Sequence, residues 1–262
     1  MGPTDRAVLV QSWTDFQNKF GGLSSYQGTP NYLGHAVNQF FGNGGSQAYI
    51  VRLVADAAVV AAEATDTLAV KGSVAIPYGG GTAFTATAID EGQWANNVYG
   101  IRIVANPIDS TRFSLLVVYT PVGGQERTVE SFPNLSIDPG DSQGRSVASV
   151  VNDPGTGSQI IQISAGTNQP TPNPLTIPAT ASPYTLAGGA DGTVLIPANA
   201  DFHTVLNSDG TGTGGVHLLD TVPIFNLLCV PGESASSPAA STVIGNLQSY
   251  CQSRRAFTLS TL

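Results

Sequence analysis

A glycine cluster, GNGG at positions 42–45, is the first feature of the sequence that could do chemistry, because glycine-rich loops cradle phosphates. In a dinucleotide fingerprint a strand precedes the glycines and a helix follows them. Here the order is reversed, since apolar residues at helical spacing come first and the β-branched run Gln47–Val54 comes after. The spacing also matches neither GxGxxG nor GxxxxGK(S/T). We therefore predict a helix that Asn31 caps and that Gly42 or Gly44 ends, followed by a buried strand.

Three histidines are available as a base or a metal ligand: His35, His203 and His217. His35 falls in the predicted helix beside small residues, where a lone histidine is an ordinary packed or solvated residue. A hydrolytic triad needs a nucleophile, a base and an orienting acid, and the sequence has no GxSxG elbow. Ser234 follows a strand and precedes a helix, as an elbow serine does, but the second glycine is missing. We expect Ser234 to belong to the loop that leads into the helix.

Carboxylates and cysteines give no stronger signal of a site. The pairs Asp90-Glu91 and Asp138 with Asp141 lie in turn contexts, where aspartate is common. Cys229 falls in an apolar strand and Cys251 in a helix, without a CxxC or Cys/His pattern. We therefore expect two buried free thiols in a reducing compartment. The sequence predicts no catalytic, cofactor-binding or metal-binding residue, and no cofactor.

Composition favours a strand-rich subunit of an assembly. Charged residues make up 11% of the chain, well below the usual quarter, whereas 30 Gly and 17 Pro indicate many short strands and turns. Such low charge suits a subunit that buries much of its surface. Residues 54–215 carry five basic and fourteen acidic side chains, which argues against nucleic-acid binding because that needs clustered Lys and Arg. The N-terminus lacks a signal-peptide pattern, and no apolar run is long enough to predict insertion in a membrane.

Periodicity divides the chain into three segments. Residues 1–54 have the pattern strand, helix, helix, strand, and Ser12 is expected to open the first helix. Residues 55–215 alternate β-branched runs with Gly, Pro and Asp turns, and predict an inserted β-sandwich or barrel-like domain. One or two helical turns are expected within 142–152, and loops at 166–182 and 209–215. The predicted strands of this domain are Thr67–Val74, Val98–Val104, Phe113–Tyr119, Gln159–Ser164 and Thr193–Ile196.

Residues 216–262 return to an α/β pattern. The apolar run Ile224–Pro231 predicts a strand that is covered on both faces. Pro238 is well placed in the first turn of a helix, and a further strand is expected from Ala256 to Leu262. We therefore predict an α+β chain, in which residues 1–54 and 216–262 form part of an interrupted α/β main domain. Because the last strand has only begun at Leu262, the main domain looks truncated.

Six segments of the sequence form a recognisable series. The first is a Gly-Pro followed by a strand and an aromatic-rich helix that ends in Phe-Gly-Gly, and the second is a helix that ends in an Asn-Gly-Gly turn before a strand. The segments are GPTDRAVLVQSWTDFQNKFGG from residue 2, YLGHAVNQFFGNGGSQAYIVRLV from 32, GQWANNVYGIRI from 92, ESFPNLSIDP from 130, LDTVPIFNLLCVPG from 219 and YCQSRRAF from 250. In this order they resemble a known family: the contractile-tail sheath proteins of bacteriophages and of related injection systems.

The resemblance implies a structural subunit without enzymatic activity. Sheath subunits stack as six-fold rings around an inner tube, and contraction drives the tube through a target envelope. The implied partners are further copies of the subunit in a helical homo-oligomer, the tail tube protein and baseplate or terminator proteins. The implied location is a virion tail or phage-tail-like particle that is assembled in the bacterial cytoplasm.

The resemblance also implies that the chain is a fragment. The family's linking arms, which add strands to a neighbour's sheet, and its C-terminal half have no counterpart in positions 2–262. We therefore expect an outer portion of a sheath subunit that does not polymerise by itself. The family's main domain is likened to subtilisin, but without a matching triad this likeness is architectural.

Two other hypotheses remain open. The first is a secreted β-sandwich that serves as a binding or adhesion module of a surface or virion protein; the lack of a signal-peptide pattern and the α/β flanks count against it. The second is a hydrolase with an inserted domain, which requires one of the three histidines to meet a serine in a cleft. Labelling by a fluorophosphonate probe that is lost in Ser234→Ala would identify the hydrolase.

Overall fold

Helices and strands both contribute to the chain in the computed structural model, which confirms the predicted α+β class. The structure describes residues 2–26, 28–56, 59, 66–78, 80–166, 182–197, 199–207, 214–234 and 238–261. Two units are present: the first combines residues 1–69 with 191–262, and the second is the continuous segment 70–190. Most of the loops predicted at 166–182 and 209–215 lies outside the described residues. No helix within the described ranges has the length and apolar character that crossing a membrane requires.

The first unit begins with a strand, two helices and a second strand. Helix α1 starts where the Ser12 side chain accepts a hydrogen bond from the amide of Asp15 at 3.0 Å, and it ends at Gly21, whose φ is +93°. The two strands pair antiparallel, and both helices pack on them through Phe16 and Val37. The elements are β1 (Val8–Val10), α1 (Trp13–Phe20), α2 (Tyr32–Gly42) and β2 (Ala48–Ile50).

The glycine cluster ends helix α2, as predicted. The Asn31 side chain accepts a hydrogen bond from the amide of Gly34 at 2.9 Å and so caps the start of the helix. At the other end Gly44 has a φ of +90°, the left-handed conformation that reverses the chain after a helix. The strand that follows is shorter and less buried than predicted, because only Ala48–Ile50 pair and Tyr49 is 37% exposed.

The C-terminal part of the first unit contains a parallel βαβ arrangement. Strands β10 and β11 pair in parallel, and helix α5 connects them. One side of this pair packs through Leu228 and Val230 on a core that includes Val243 and Leu247 of α5. The elements are α4 (Ala200–Leu206), a 3₁₀ segment (Gly215–Thr221), β10 (Leu227–Ser234), α5 (Pro238–Arg254) and β11 (Phe257–Thr261).

The predicted strand Thr193–Ile196 is wrong. These residues form no strand, although the amide of Thr193 donates one hydrogen bond to the carbonyl of Thr67 at 2.9 Å. Pro197 follows directly and cannot donate a ladder hydrogen bond, so the run is too short to pair further. Helix α4, which comes next, was not predicted.

The second unit consists of two antiparallel sheets. The first has the order β3-β4-β8 and the second the order β7-β6-β5-β9. The chain enters and leaves this unit at one point, where Val70 and Ala190 exchange two backbone hydrogen bonds of 2.8 and 2.9 Å. The strands are β3 (Ser73–Tyr78), β4 (Gly81–Ala88), β5 (Tyr99–Ala105), β6 (Phe113–Tyr119), β7 (Arg127–Leu135), β8 (Ile161–Ala165) and β9 (Tyr184–Thr185), with 3₁₀ residues Gln93–Ala95 and helix α3 (Val147–Val151) between them.

Sequence patterns located some of these strands and missed others. Strands close to β5, β6 and β8 were predicted, whereas the strand expected at Thr67–Val74 begins only at Ser73. Strand β4, GTAFTATA, was not predicted, because it starts at a glycine, a residue typical of turns, and contains mostly small residues. Strand β7 carries Pro133 and charged residues, which is typical of the sheet edge where it lies.

Both sheets of the second unit contribute to one hydrophobic core. Phe84 of β4 stacks on Phe113 of β6 with 6.2 Å between ring centroids and an interplanar angle of 11°. Both side chains are at most 2% exposed. The other large residues of this core include Ile76, Ile101, Ile103, Leu115, Phe132, Leu135, Ile137, Ile161, Ile163 and Leu186.

A substitution in this core tests the packing. We expect Phe84→Ala to lower the free energy of unfolding by about 3–5 kcal/mol, because a buried aromatic ring is lost and a cavity remains. Val122 is 97% exposed in a turn of the same unit, so Val122→Ala should change stability by less than about 0.5 kcal/mol. Urea unfolding followed by circular dichroism measures both. Equal stability of the two variants would contradict the core described here.

A buried ion pair stabilises the second unit. The Arg112 guanidinium donates two hydrogen bonds to the Asp141 carboxylate, at 2.6 and 3.1 Å, and both side chains are 8% exposed. The amide of Arg145 donates a further bond to Asp141 at 2.8 Å. The hydrogen bonds from Arg112 hold the pKa of Asp141 below its ordinary value of 3.8. Asp141 therefore stabilises the fold through these hydrogen bonds and is not only a turn residue.

Acid should weaken this unit through Asp141. Its carboxyl binds a proton more weakly in the folded chain than in the unfolded chain. Its contribution to stability is therefore complete above the ordinary pKa of 3.8 and disappears as the pH falls through the lower folded value. We expect the midpoint of thermal unfolding to drop between about pH 4 and pH 2, and to drop less in Asp141→Asn. Arg112→Met should flatten the profile in the same way; an unchanged slope in both variants would contradict the assignment.

Candidate functional site

The three histidines lie in different surroundings. His35 is exposed on α2. His203 on α4 is only 7% exposed, and its Nε2 lies 2.9 Å from Oε2 of Glu233 near the end of β10. His217 lies in the 3₁₀ segment and contacts Asp220. The pairing of His203 with Glu233 has no signal in the sequence, because 30 residues separate the partners.

The His203–Glu233 pair ties α4 to β10. Glu233 is 3% exposed, so its carboxylate has been taken out of water and needs hydrogen-bond partners. A histidine paired with a carboxylate is also two-thirds of a hydrolytic triad. Ser234 follows Glu233 within the strand, not in the loop where it was predicted, and its side chain lies outside the described residues.

A second polar cluster joins the 3₁₀ segment to α5. Asp220 accepts hydrogen bonds from the Tyr250 hydroxyl at 2.8 Å and from His217 Nδ1 at 3.1 Å, and Arg254 Nη1 lies 4.0 Å away. Burial alone would raise the pKa of Asp220, but the hydrogen bonds from Tyr250 and His217, together with nearby positive charge, lower it overall. Burial and the bond to Asp220 raise the pKa of Tyr250, so its hydroxyl stays protonated and acts as a donor.

The acidic pairs singled out in the sequence serve the fold. Glu91 lies 3.8 Å from the Lys71 ammonium, and the carbonyl of Asp90 accepts a hydrogen bond from the Trp94 indole at 3.1 Å. Asp138 accepts a bond from the amide of Gly140 at 2.8 Å within its turn. Across the described part of the chain, no group of three or more His, Cys, Asp or Glu is placed to hold a metal ion.

The outer side of the β10–β11 pair is an exposed apolar surface. Leu227 lies opposite Phe257 and Cys229 opposite Leu259, and directly paired residues share a face of the sheet. Leu227 is 57% exposed, Phe257 75% and Leu259 52%, and Cys229 is exposed as well. We call these four residues the open face.

The open face overturns two predictions from the sequence. The apolar run Ile224–Pro231 was expected to be covered on both faces, but only the side with Leu228 and Val230 packs on the core. Cys229 was expected to be buried and is exposed, whereas Cys251 in α5 is buried as predicted. The reason is that α5 covers one side of the pair only. Parallel strands are normally buried on both faces, and contiguous exposed apolar residues mark interaction surfaces.

Comparisons with known proteins bear on the fold. No protein-family model matches the sequence, and no curated protein does either. Among solved structures, the chain is similar to a sheath tail protein from Listeria innocua, with 15% identity and a TM-score of 0.53 over 97% of this chain. A sheath tail protein from Desulfitobacterium hafniense aligns with 98% of this chain at 14% identity, with a TM-score of 0.47.

The alignment with the Listeria protein shows a shared fold over nearly the whole chain, which confirms in structure the resemblance noted in the sequence. The chain spans 43% of the length of that protein and 46% of the length of the Desulfitobacterium protein, less than half of each.

Removal of the buried imidazole tests its structural role. We expect His203→Ala to lower the free energy of unfolding by about 3 kcal/mol, because the buried carboxylate of Glu233 loses a partner. His35 is exposed on α2, so His35→Ala should change stability by less than about 0.5 kcal/mol. Chemical unfolding at neutral pH measures the difference. A His203→Ala variant as stable as the parent chain would contradict the role of the pair.

Proposed function

We propose that this chain, which has the fold of a sheath tail protein, is part of a tail sheath subunit with a structural role. The observation that carries the proposal is the structural similarity to the Listeria sheath tail protein along 97% of the chain. Because the chain spans 43% of that protein, polymerisation and contraction are proposed for a longer polypeptide that includes this sequence.

The positions of the family-like sequence segments support this proposal. The segment from residue 2 forms β1 and α1, and the segment from residue 32 forms α2 and β2. The Gly-x-Trp segment from residue 92 forms the 3₁₀ residues and β5. The last two segments contribute to β10 and to the end of α5. The segment from residue 130 contributes to β7, so each of the six segments includes residues of a helix or strand.

A helical sheath follows from simple association rules. Subunits that join through different surfaces, without closing a small ring, build a helical polymer. Two packings of one subunit that differ in buried area then supply an extended and a contracted state. A charged fraction of only 11% favours the burial of large surfaces between subunits.

We further propose that the second unit is an inserted β-sandwich that faces outward from the sheath. Its two antiparallel sheets share one core, as the sheets of a sandwich do. Residues 70–190 carry five basic and eight acidic side chains, and this net negative charge is readily accommodated at an outer, solvated surface. In this arrangement the contacts with the tube and the baseplate are made by other parts of the subunit.

The proposal assigns no catalytic role to the chain. This is supported by the contacts of the ionisable groups that could otherwise take part in catalysis. His203 and Glu233 hold each other in a buried pair, and Asp220 binds His217 and Tyr250. These polar groups are therefore engaged in joining elements of the first unit.

Cryo-electron microscopy of the full-length polypeptide that carries this sequence tests the proposal. We expect hollow tubes built from six-fold rings, with residues 70–190 at the outer radius. If tubes do not form from this polypeptide alone, coexpression with the neighbouring tube protein supplies the template. Monodisperse monomers in both experiments would overturn the sheath function, and a map with residues 70–190 against the inner tube would overturn the proposed orientation.

A further inference from the structure

We propose that the loop 152–158 takes the place of a strand beside β8, and that two of its side chains keep the outer edge of β8 from pairing with the same edge of a second copy. We call residues 152–158 the edge loop. The observation behind the proposal is that the Asn152 side chain binds both backbone groups of Ile163, as a neighbouring strand would. The inference concerns the second unit alone and does not rest on the proposed function.

The backbone groups of β8 alternate in direction, and its pairing with β4 fixes which of them point outward. Among the described strands, β8 is the outer strand of the sheet β3-β4-β8. The amide of Ile89 donates a hydrogen bond to the carbonyl of Ile160 at 2.9 Å, so the backbone groups of Ile160 point toward the neighbouring chain. Because this direction alternates along an antiparallel strand, the amides and carbonyls of Ile161 and Ile163 point away from β4.

The edge loop occupies these outward groups with side chains. Asn152 Nδ2 donates to the carbonyl of Ile163 at 2.8 Å, and Asn152 Oδ1 accepts from the amide of Ile163 at 2.8 Å. The amide of Ile161 donates to Ser158 Oγ at 2.9 Å. A side-chain amide carries the same donor and acceptor as a peptide group, so Asn152 makes the two bonds that one residue of an adjacent strand would make.

The edge loop is also fastened to the other sheet of the second unit. The Ser158 hydroxyl donates to Oε2 of Glu130 in β7 at 2.5 Å, and the amide of Gln159 donates to Oε1 of the same carboxylate at 2.9 Å. Ser158 is 6% exposed. Before the loop, α3 is anchored in the core by Val151, which is fully buried. The loop therefore closes the side of the unit on which β7 and β8 lie.

Strand β8 needs such protection because its own sequence supplies none. Edge strands are normally protected by charged residues, proline or bulges. Strand β7 has all three, including Pro133. Strand β8, IQISA, has no charge and no proline: Ile161 and Ile163 are buried, and Gln162 and Ser164 are exposed. An uncharged strand with this alternation pairs readily with another chain when its edge is free.

The sequence of β8 suits pairing with itself. A two-fold axis at Ile163 sets this residue opposite its counterpart, so that each amide faces the carbonyl of the other copy. Paired residues share a face of the sheet, so the isoleucines of both copies stay on the core side and Gln162 comes opposite Ser164. No like charges meet in this arrangement. Each copy uses its edge once, so association ends at a dimer.

Amide hydrogen exchange, resolved by residue and measured at low chain concentration, tests whether the edge is closed. In the parent chain the Ile163 amide should be protected, and in Asn152→Ala it should exchange at least about tenfold faster because its acceptor is lost. Asn106→Ala is the matched control. The Asn106 side chain also makes two hydrogen bonds, to the amides of Ile108 and Asp109 at 2.9 and 3.2 Å, but in a turn away from β8. It should leave the exchange of Ile163 unchanged.

Light scattering from about 1 to 100 μM tests what the edge loop prevents. We expect the double variant Asn152→Ala/Ser158→Ala to rise with concentration toward twice the molar mass that the parent chain has under the same conditions. Both side chains that fasten the loop to β8 are then gone, and the loop can move away from the edge. Asn106→Ala should match the parent chain at every concentration.

A third substitution distinguishes edge pairing from a general loss of stability. Ser164 is exposed on β8, so Ser164→Lys leaves the core intact and places two lysines close together across the two-fold axis. Added to the double variant, it should restore the molar mass of the parent chain, although it restores none of the lost hydrogen bonds. Association that arises from an exposed core would persist.

Three results would overturn the inference. They are an Ile163 amide that exchanges in the parent chain as fast as the amides of exposed turns, a folded double variant that keeps the parent molar mass, and association that Ser164→Lys leaves unchanged. If circular dichroism shows that the double variant does not fold, Asn152→Ala, which keeps Ser158 bound to Glu130, takes its place in both measurements. The sheath proposal is tested by the tubes and is unaffected by these results.

Discussion

Parallel strands need cover on both sides, and this requirement governs the first unit. Strands β10 and β11 can pair in parallel only because α5 spans the distance between their ends, and in doing so α5 buries one side of the pair. The other side keeps Leu227, Phe257 and Leu259 in contact with solvent. Burying these residues would release further free energy, so the open face is a surface on which other protein can pack.

The same rule of burial explains why acids and histidines that could take part in catalysis have structural roles in this fold. A carboxylate that is removed from water needs donors, and Asp141, Glu233 and Asp220 each find them. Asp141 is held by Arg112, Glu233 by His203, and Asp220 by Tyr250 and His217. Each of the three has a partner 29 or 30 residues away, so each joins segments that are distant in the sequence. Two of the three histidines, His203 and His217, are used in this way.

Local signals were readable from the sequence, whereas signals that depend on distant partners were not. Ser12, Asn31 and Gly44 act on their own helices, so their roles could be predicted from a few neighbouring residues. Strand β7 was not predicted because Pro133 and the charged residues of this segment are typical of an edge strand. Whether a strand lies at an edge depends on the other strands of the sheet. The exposure of Cys229 and the pairing of His203 with Glu233 likewise depend on what packs from elsewhere in the chain.

The paired residues Val70 and Ala190 give the second unit a property of its own. Two backbone hydrogen bonds join Val70 to Ala190, where the chain enters and leaves the second unit. The 121 residues of this unit therefore begin and end at adjacent positions. A short turn could bridge that gap as well as a whole domain does. The segment can therefore be lengthened, exchanged or removed, in evolution or by design, while the distance between its two ends is kept.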